Sequence, residues 1–352
     1  MHSRRPIALL GFLAFLPTTI ACGSDEGAGD VTDEADLTSA NGLVCTPPPA
    51  CDAPPPKTAA ESFEHVSSRV VASTLTARHR GRDLFVTPGQ PITAIAKFAY
   101  GTGTDKDLKD ENVHVYLDKG CAGSWSDLGV FRTSTDGKYA TVEGVEDTGG
   151  RIYLKLPALP QGRHRVHFAV PGDGTSTDAF IEVLKAGTKI IVSDVDGTLT
   201  TSENVEFVSL LTGAVSEANP HAAEALQAAV KKGYRPFYLT ARPEWLVGRT
   251  REFLKERGFP EGIVHTTLGL TGAFNDAAAA FKSDELNGVT KKGLRLWYAV
   301  GNRASDATAF TGAGVPKDRA FLYQFTDDVH GCVRVDDYAT LATQFGKLPV
   351  CK

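Results

Sequence analysis

The sequence predicts two folded parts in series, a β-sandwich followed by a doubly wound parallel α/β sheet. Three observations carry this. From about residue 66 to 184, short alternating segments such as DLFVTPG, VHVYLD, RIYLKL and RHRVHFAV recur between Gly, Pro and Asp turns, as strands of a sandwich do. From Lys189 onward, apolar strand-like runs alternate with helix-like runs rich in Ala, Leu, Glu and Lys, which predicts a parallel sheet with helical crossovers. The first of those runs, KIIVSDVDGTLTTS, opens with Ile190, Ile191 and Val192, three β-branched residues with no charge among them. Such a run marks a strand buried on both faces.

Taken in order, the chain begins with Arg4 and Arg5, an apolar run over 7–16 and small residues before Cys22. This is the layout of a secretory signal over 1–21, and the run is too short to span a bilayer. Thr19-Ile20-Ala21-Cys22 is similar to a bacterial lipobox, with Thr19 where Leu is usual. The expectation is an exported bacterial protein, lipid-anchored to the cell envelope through Cys22, with a plain secreted protein as the alternative. Residues 22–64 are rich in Pro, Gly and acid, a composition that cannot repay the entropy of folding, and read as a disordered tether. Cys45 and Cys51 are expected to pair with each other or with Cys121, and Cys332 with Cys351 can staple the C-terminus. Without Cys22 five cysteines remain, so one is left over and the connectivity stays open.

The sandwich is expected over 65–186, with no helical periodicity competing, and the α/β part over 187–352. Together they hold about 290 residues, ample for two buried cores. In RHRVHFAV the alternation puts Val166 and Phe168 on one face and Arg163, Arg165 and His167 on the other. A solvated face is the expectation for these three, with contact to anionic headgroups as the alternative. In the α/β part, HAAEALQAAVKK is a helix that stops at Gly233, RPFYLTA a strand, EWLVGRTREFLKER a helix, and GIVHT and LRLWYAVGN strands. The net charge of −5, with 22% charged residues, excludes nucleic acid as an obvious partner, because that needs a basic footprint.

The chemistry-bearing residues stand at strand ends. Asp194 and Asp196 follow the first strand one residue apart, and like charges so close call for a cation or a shared proton. Gly197 supplies the turn. Thr240 closes the second strand and Arg242 follows, a hydroxyl and a fork suited to phosphoryl oxygens, although Thr240 alone reads as a helix N-cap. Lys282 lies in AAAAFKSDEL, where a lone helical lysine is ordinarily solvated. In GNRASD, Asn302 and Asp306 offer hard oxygens suited to Mg2+.

In this order, DVDGTLTTS, YLTARPEW, FKSDELNG and GNRASDATAFTGAGVPKDRAF resemble the haloacid dehalogenase (HAD) superfamily. More narrowly, they resemble the lipin-type phosphatidate phosphatase domain and the C-terminal domain of retinal-degeneration-B-type phosphatidylinositol-transfer proteins. The resemblance covers about residues 188–325. It implies a HAD-like, Rossmannoid sheet with an immunoglobulin-like sandwich set before it. About 40 residues separate the first motif from the second, and about as many the second from the third. No room is left for a lid domain, so a capless, open site is expected.

The resemblance also implies a mechanism. Asp194 attacks phosphorus to give an aspartyl-phosphate, and Asp196 acts as general acid and then base. Mg2+ sits on the Asp194 side chain, the Asp196 carbonyl and Asn302 or Asp306. Thr240, Arg242 and Lys282 clamp the phosphoryl oxygens, and Thr198 supports the first loop and belongs to the same phosphate-binding set. The substrate implied is phosphatidic acid or a related lipid phosphate at a membrane, reached through the N-terminal lipid anchor. Trp245, Leu246 and Val247 are candidates to dip into the interface, with Arg249, Arg251 and Lys255 beside them, or to pack beneath the sheet. Two alternatives remain: a phosphatidic-acid-binding module without turnover, as the resemblance to the transfer proteins implies, and a phosphatase for a soluble or protein-linked phosphomonoester.

Overall fold

A computed structural model describes residues 43–102, 104–201 and 215–349, which belong to one compact unit. The signal segment, Cys22, Ser202 and Cys351 lie outside the described residues.

Residues 43–64, expected as part of a disordered tether, run extended along the protein surface with Leu43, Cys51 and Phe63 buried. The composition argument fails here because the segment borrows its hydrogen bonds and its cross-link from both folded parts. Val44 N–H donates to the Gly233 carbonyl of the α/β part, and Glu61 N–H donates to the Pro171 carbonyl of the sandwich. Cys51 is cross-linked to Cys121. Cys332 is free and buried, so the staple expected at the C-terminus does not form.

Next comes a helix the sequence reading missed, α1 (Val66–Thr74). Its Val, Ser and Thr content carries little helix propensity. Tertiary contacts override it: Glu111 accepts hydrogen bonds from the Glu64 and His65 N–H groups, and Val71 and Ala72 pack on the sandwich core.

The sandwich follows as β1 (Arg80–Arg82), β2 (Leu84–Val86), β3 (Ile92–Lys97), β4 (Ala99–Gly101), β5 (Asp105–Asp107), β6 (Asn112–Asp118), β7 (Trp125–Arg132), β8 (Arg151–Leu156), β9 (Gly162–Ala169) and β10 (Ser176–Val183). One sheet has the order β1-β3-β8, the other β2-β10-β9-β6-β7, and β4 pairs with β5. Alternate residues such as Val113, Val115, Val166 and Phe168 fill the space between the sheets.

The α/β part is β11 (Lys189–Ser193), α2 (Ala222–Lys231), β12 (Arg235–Leu239), α3 (Val247–Glu256), β13 (Ile263–His265), α4 (Asn275–Lys291), β14 (Arg295–Gly301), α5 (Ala304–Gly312), β15 (Ala320–Tyr323), β16 (Val333–Val335) and α6 (Tyr338–Gly346). All six strands are parallel, in the order β13-β12-β11-β14-β15-β16. This is the expected doubly wound parallel sheet with a sandwich before it. The β11 residues are all buried: Ile190 and Val192 point into one core with Phe237 and Leu286, Ile191 into the other with Tyr238 and Phe253. The chain order reverses between β11 and β14, the switch point where ligands bind in open α/β sheets.

The sandwich is docked on the α/β part. Phe85 of β2 reaches into the α/β core and meets Phe237 edge-on at 5.6 Å between ring centroids. The strand face expected to be solvated is engaged within the protein, and Arg163 takes part in this docking. Arg163 is buried and bonds Glu182, Glu261 and the Gly262 carbonyl, while Arg165 and His167 share Asp178. Neither water nor headgroups reach the Arg163 guanidinium. The Trp245 region likewise belongs to the interior: Leu246 and Val247 are buried, and Trp245 lies half-buried under the Arg78 guanidinium. Arg251 pairs with Asp83, Lys255 with Asp52 and Arg249 with Glu252.

Candidate active site

The β11/β14 seam fixes the first motif. Asp194 N–H donates to the Val300 carbonyl at 2.9 Å, which sets its carboxylate at the C-terminal edge of the sheet. Gly197 then takes a φ of +72°, a left-handed turn that a side chain would disfavour. Two residues the sequence reading did not single out hold this turn from behind. The Asn219 amide donates to the Thr198 and Thr200 carbonyls, and the Tyr338 hydroxyl donates to the Thr198 carbonyl at 3.0 Å.

All eight candidate positions of the site converge here. Lys282 is buried in α4, in the same stripe as Ala278, Leu286 and Val289, and not solvated as a lone helical lysine would be. Its Nζ donates to Asp194 Oδ1 at 2.6 Å and to Asp306 Oδ1 at 2.5 Å. The Thr198 hydroxyl lies 2.9 Å from Asp194 Oδ2 and 3.1 Å from Asn302 Oδ1. On the other side, Arg242 grips Asp196 with Nε at 2.9 Å from Oδ2 and Nη2 at 2.7 Å from Oδ1. Thr240 donates to the same Oδ2 at 2.9 Å.

Two expected roles change. Arg242, expected on a phosphoryl oxygen, is engaged with Asp196 and with the Thr250 hydroxyl. Asp306, expected among the metal ligands, is fully buried with both oxygens committed, one to Lys282 and the other to the Asn302 and Arg303 N–H groups. It caps α5 and bonds Lys282. Gly301 makes room for it, since a Cβ there would sit 2.5 Å from the Asp306 Cβ.

The charges do not balance. One ammonium is shared by Asp194 and Asp306, two buried carboxylates. Burial, with Asp306 and Asp196 adding to it, pushes Asp194 up to about 6 against the opposing pull of Lys282. Burial works against the Lys282 charge, yet the two carboxylates outweigh it and hold the ammonium above its ordinary range. The local excess of negative charge fits a cation. Among the described residues no three His, Cys, Asp or Glu side chains form a metal cluster. The residues that could hold Mg2+ are Asp194, one carboxylate, with neutral oxygens from Asn302 and the Asp196 carbonyl, the sparse kind of site that magnesium completes with water.

The sequence reading also missed Glu244 and Glu285. Glu244 is buried and Glu285 partly buried, and both are bonded across to the sandwich, Glu244 to Arg80 and Arg151, Glu285 to Arg82. Nothing local in ARPEW or SDELNG announces such partners.

Two family models match. Residues 191–324 match the LNS2 domain of PITM 1-3, and residues 77–183 match the β-sandwich domain of PITM 1-3. Among curated relatives, protein retinal degeneration B of Drosophila melanogaster is 28% identical over 258 residues, covering 72% of this chain and 19% of that protein. Human membrane-associated phosphatidylinositol transfer protein 1 is 27% identical over 215 residues, covering 60% of this chain and 16% of that protein. The chain thus spans less than a fifth of the length of these relatives. Among solved structures, D,D-heptose 1,7-bisphosphate phosphatase from B. bronchiseptica has a TM-score of 0.32 at 15% identity, covering 45% of this chain and 97% of that one. Phosphoserine phosphatase from T. onnurineus has a TM-score of 0.32 at 16% identity, covering 46% and 96%.

These relatives correct one expectation. The curated relatives are animal proteins, several of them named membrane-associated phosphatidylinositol transfer proteins, which overturns the reading of an exported bacterial lipoprotein anchored through Cys22. That reading rested on the composition of a short apolar run and a few small residues, a pattern with little specificity of its own. What the chain is similar to, in sequence and in the order of its parts, is the β-sandwich and LNS2 domain pair of the PITM 1-3 proteins.

Proposed function

We propose that the chain is a magnesium-dependent phosphomonoesterase acting through an aspartyl-phosphate, with a lipid phosphate such as phosphatidic acid as substrate. The observation that carries it is the pair Asp194 and Asp196 at the sheet's switch point, each held by its own cation, Lys282 and Arg242. A nucleophile beside an acid/base group, with two cations in reach of phosphoryl oxygens, suits phosphoryl transfer.

An Asp194 oxygen bonds to phosphorus while the phosphorus–oxygen bond to the alcohol breaks, and Asp196 gives the leaving oxygen its proton. Water then attacks phosphorus and yields its proton to Asp196, which frees inorganic phosphate and Asp194. The incoming phosphoryl group takes over the Arg242 guanidinium and so releases Asp196 for this work. Asp194, Asn302 and the Asp196 carbonyl would hold Mg2+, which supplies charge neutralisation when bound.

Support for a lipid substrate comes from the site's rim. Leu270 and Phe274 are 43% and 74% exposed. They stand on a loop bonded to the Thr240–Arg242 turn through Thr267 N–H to the Arg242 carbonyl and Ala273 N–H to the Ala241 carbonyl. Two large apolar side chains beside a phosphate site suit acyl chains. A second reading, lipid phosphate binding without turnover, is favoured by the Arg242–Asp196 ion pair, which occupies the acid/base group, and by relatives named as phosphatidylinositol transfer proteins.

Phosphate release from phosphatidic acid in mixed micelles, with and without Mg2+, tests the proposal against Asp194→Asn. Release that needs both supports the enzyme. No release with retained liposome binding supports the second reading. Release from soluble esters alone rules out the lipid.

A further inference from the structure

Strand β1 of the sandwich reads Arg80-Gly81-Arg82, and its alternation sends both arginines to one side. They reach the two elements that carry the candidate phosphoryl-binding cations. Arg80 Nη2 lies 2.9 Å from Glu244 Oε2, and Arg151 of β8 closes on the same carboxylate at 2.9 and 3.1 Å. Glu244 is two residues beyond Arg242. Arg82 Nη2 lies 2.6 and 2.7 Å from the two oxygens of Glu285, which His265 also contacts at 2.6 Å. Glu285 is one turn beyond Lys282 on α4. Asp83, next in the chain, is fully buried and accepts from the Val264 N–H of β13 at 3.0 Å. Strand β1 passes close against β10, where only glycine fits: a Cβ on Gly81 would sit 2.2 Å from the Asp178 carbonyl oxygen.

We propose that β1 is a two-pronged positioning element: Arg80, with Arg151, sets the Arg242 loop through Glu244, and Arg82 sets Lys282 through Glu285. This rests on the phosphoryl-transfer reading and deepens it. The sandwich is then part of the site's machinery, and none of its residues touches the reacting atoms. Arg80, Arg82 and Arg151 are positioning residues. The cost of losing them follows from geometry, since displacing a charged clamp by about 1 Å can lower a rate by about a hundredfold.

The test uses the full chain with p-nitrophenyl phosphate and, separately, orthovanadate binding by calorimetry. Breaking one buried ion pair can unfold a protein, whereas removing both partners is tolerated better. Arg82→Met is therefore paired with the double variant Arg82→Met/Glu285→Gln. Arg163→Met, which breaks a buried contact to Glu261 and Gly262 before β13, serves as control. Each variant is assayed well below its own melting temperature. The expected result is a fall in kcat of about ten- to a hundredfold for both Arg82 variants, with KM changed less, and unchanged kcat for Arg163→Met. Arg82 variants that melt earlier yet keep wild-type kcat would overturn the inference and leave the phosphatase reading intact. If wild type binds orthovanadate without turning over ester, catalysis fails as a reading, and weaker vanadate binding by the Arg82 variants still supports positioning. Wild type that neither binds nor turns over removes both.

Discussion

Arg242 holds Asp196 through two guanidinium nitrogens, at 2.9 Å from Oδ2 and 2.7 Å from Oδ1, with the Arg242 side chain buried and the Asp196 side chain partly open. The carboxylate is the more open member of the pair, and the guanidinium lies behind it.

A lysine at 242 keeps the charge and loses the planar fork. Arg242→Lys is expected to lower kcat/KM for p-nitrophenyl phosphate at least about tenfold, the difference between a two-point and a one-point grip. Steady-state kinetics check it, and wild-type values would mean that the fork has no part in turnover.

Removing Lys282 leaves Asp194 and Asp306 buried without their shared counter-charge. Lys282→Met is expected to destabilise the fold by about 3–5 kcal/mol, the usual cost of breaking a buried pair from one side. Urea unfolding measures this. An unchanged midpoint would contradict the shared-cation geometry.

Acid should loosen the docking of the two parts. Burial alone would raise Glu244 and Glu285, but Arg80 and Arg151 outweigh it for the first, and Arg82 and His265 for the second, so both lie below their ordinary value of 4.5. Because the folded value is the depressed one, their stabilisation is complete above 4.5 and is lost as pH falls below it. The unfolding midpoint of Glu285→Gln should therefore fall less steeply than wild type between about pH 5 and 3. Parallel curves would count against the network.

The Cys51–Cys121 cross-link spans 70 residues and pins the 43–64 segment. Cys121→Ser is expected to cost about 2–4 kcal/mol, and reductant, which also opens the disulfide that Cys45 makes, should cost wild type at least as much. Thermal melts with and without reductant report it, and a melt insensitive to both would contradict the pinning.

What the sequence made legible was local. Ile190 to Val192 and the turn at Gly197 are short-range patterns that predicted the central strand and its turn, whereas Asp194, Thr240, Lys282 and Asn302 were grouped by the resemblance of four short motifs in order, Lys282 lying 88 residues from Asp194. Pairings across long separations were not legible. Arg80 and Glu244 lie 164 residues apart, and no periodicity links them. Arg163 looked solvated for the same reason, its partner Glu261 being 98 residues away. The 43–64 segment looked disordered because its order comes from other elements. Lys282 left one overlooked clue: it lies four residues after Ala278 and four before Leu286, inside the buried stripe of α4.

The central claim is that Asp194 is the nucleophile. Wild type and Asp194→Asn would be mixed with substrate and Mg2+, quenched in acid within the first turnover, and digested for peptide mass analysis. The account predicts one phosphoryl group on the wild-type peptide that contains Asp194, and none on the variant. Phosphate release without that adduct, or undiminished release by Asp194→Asn, would contradict it.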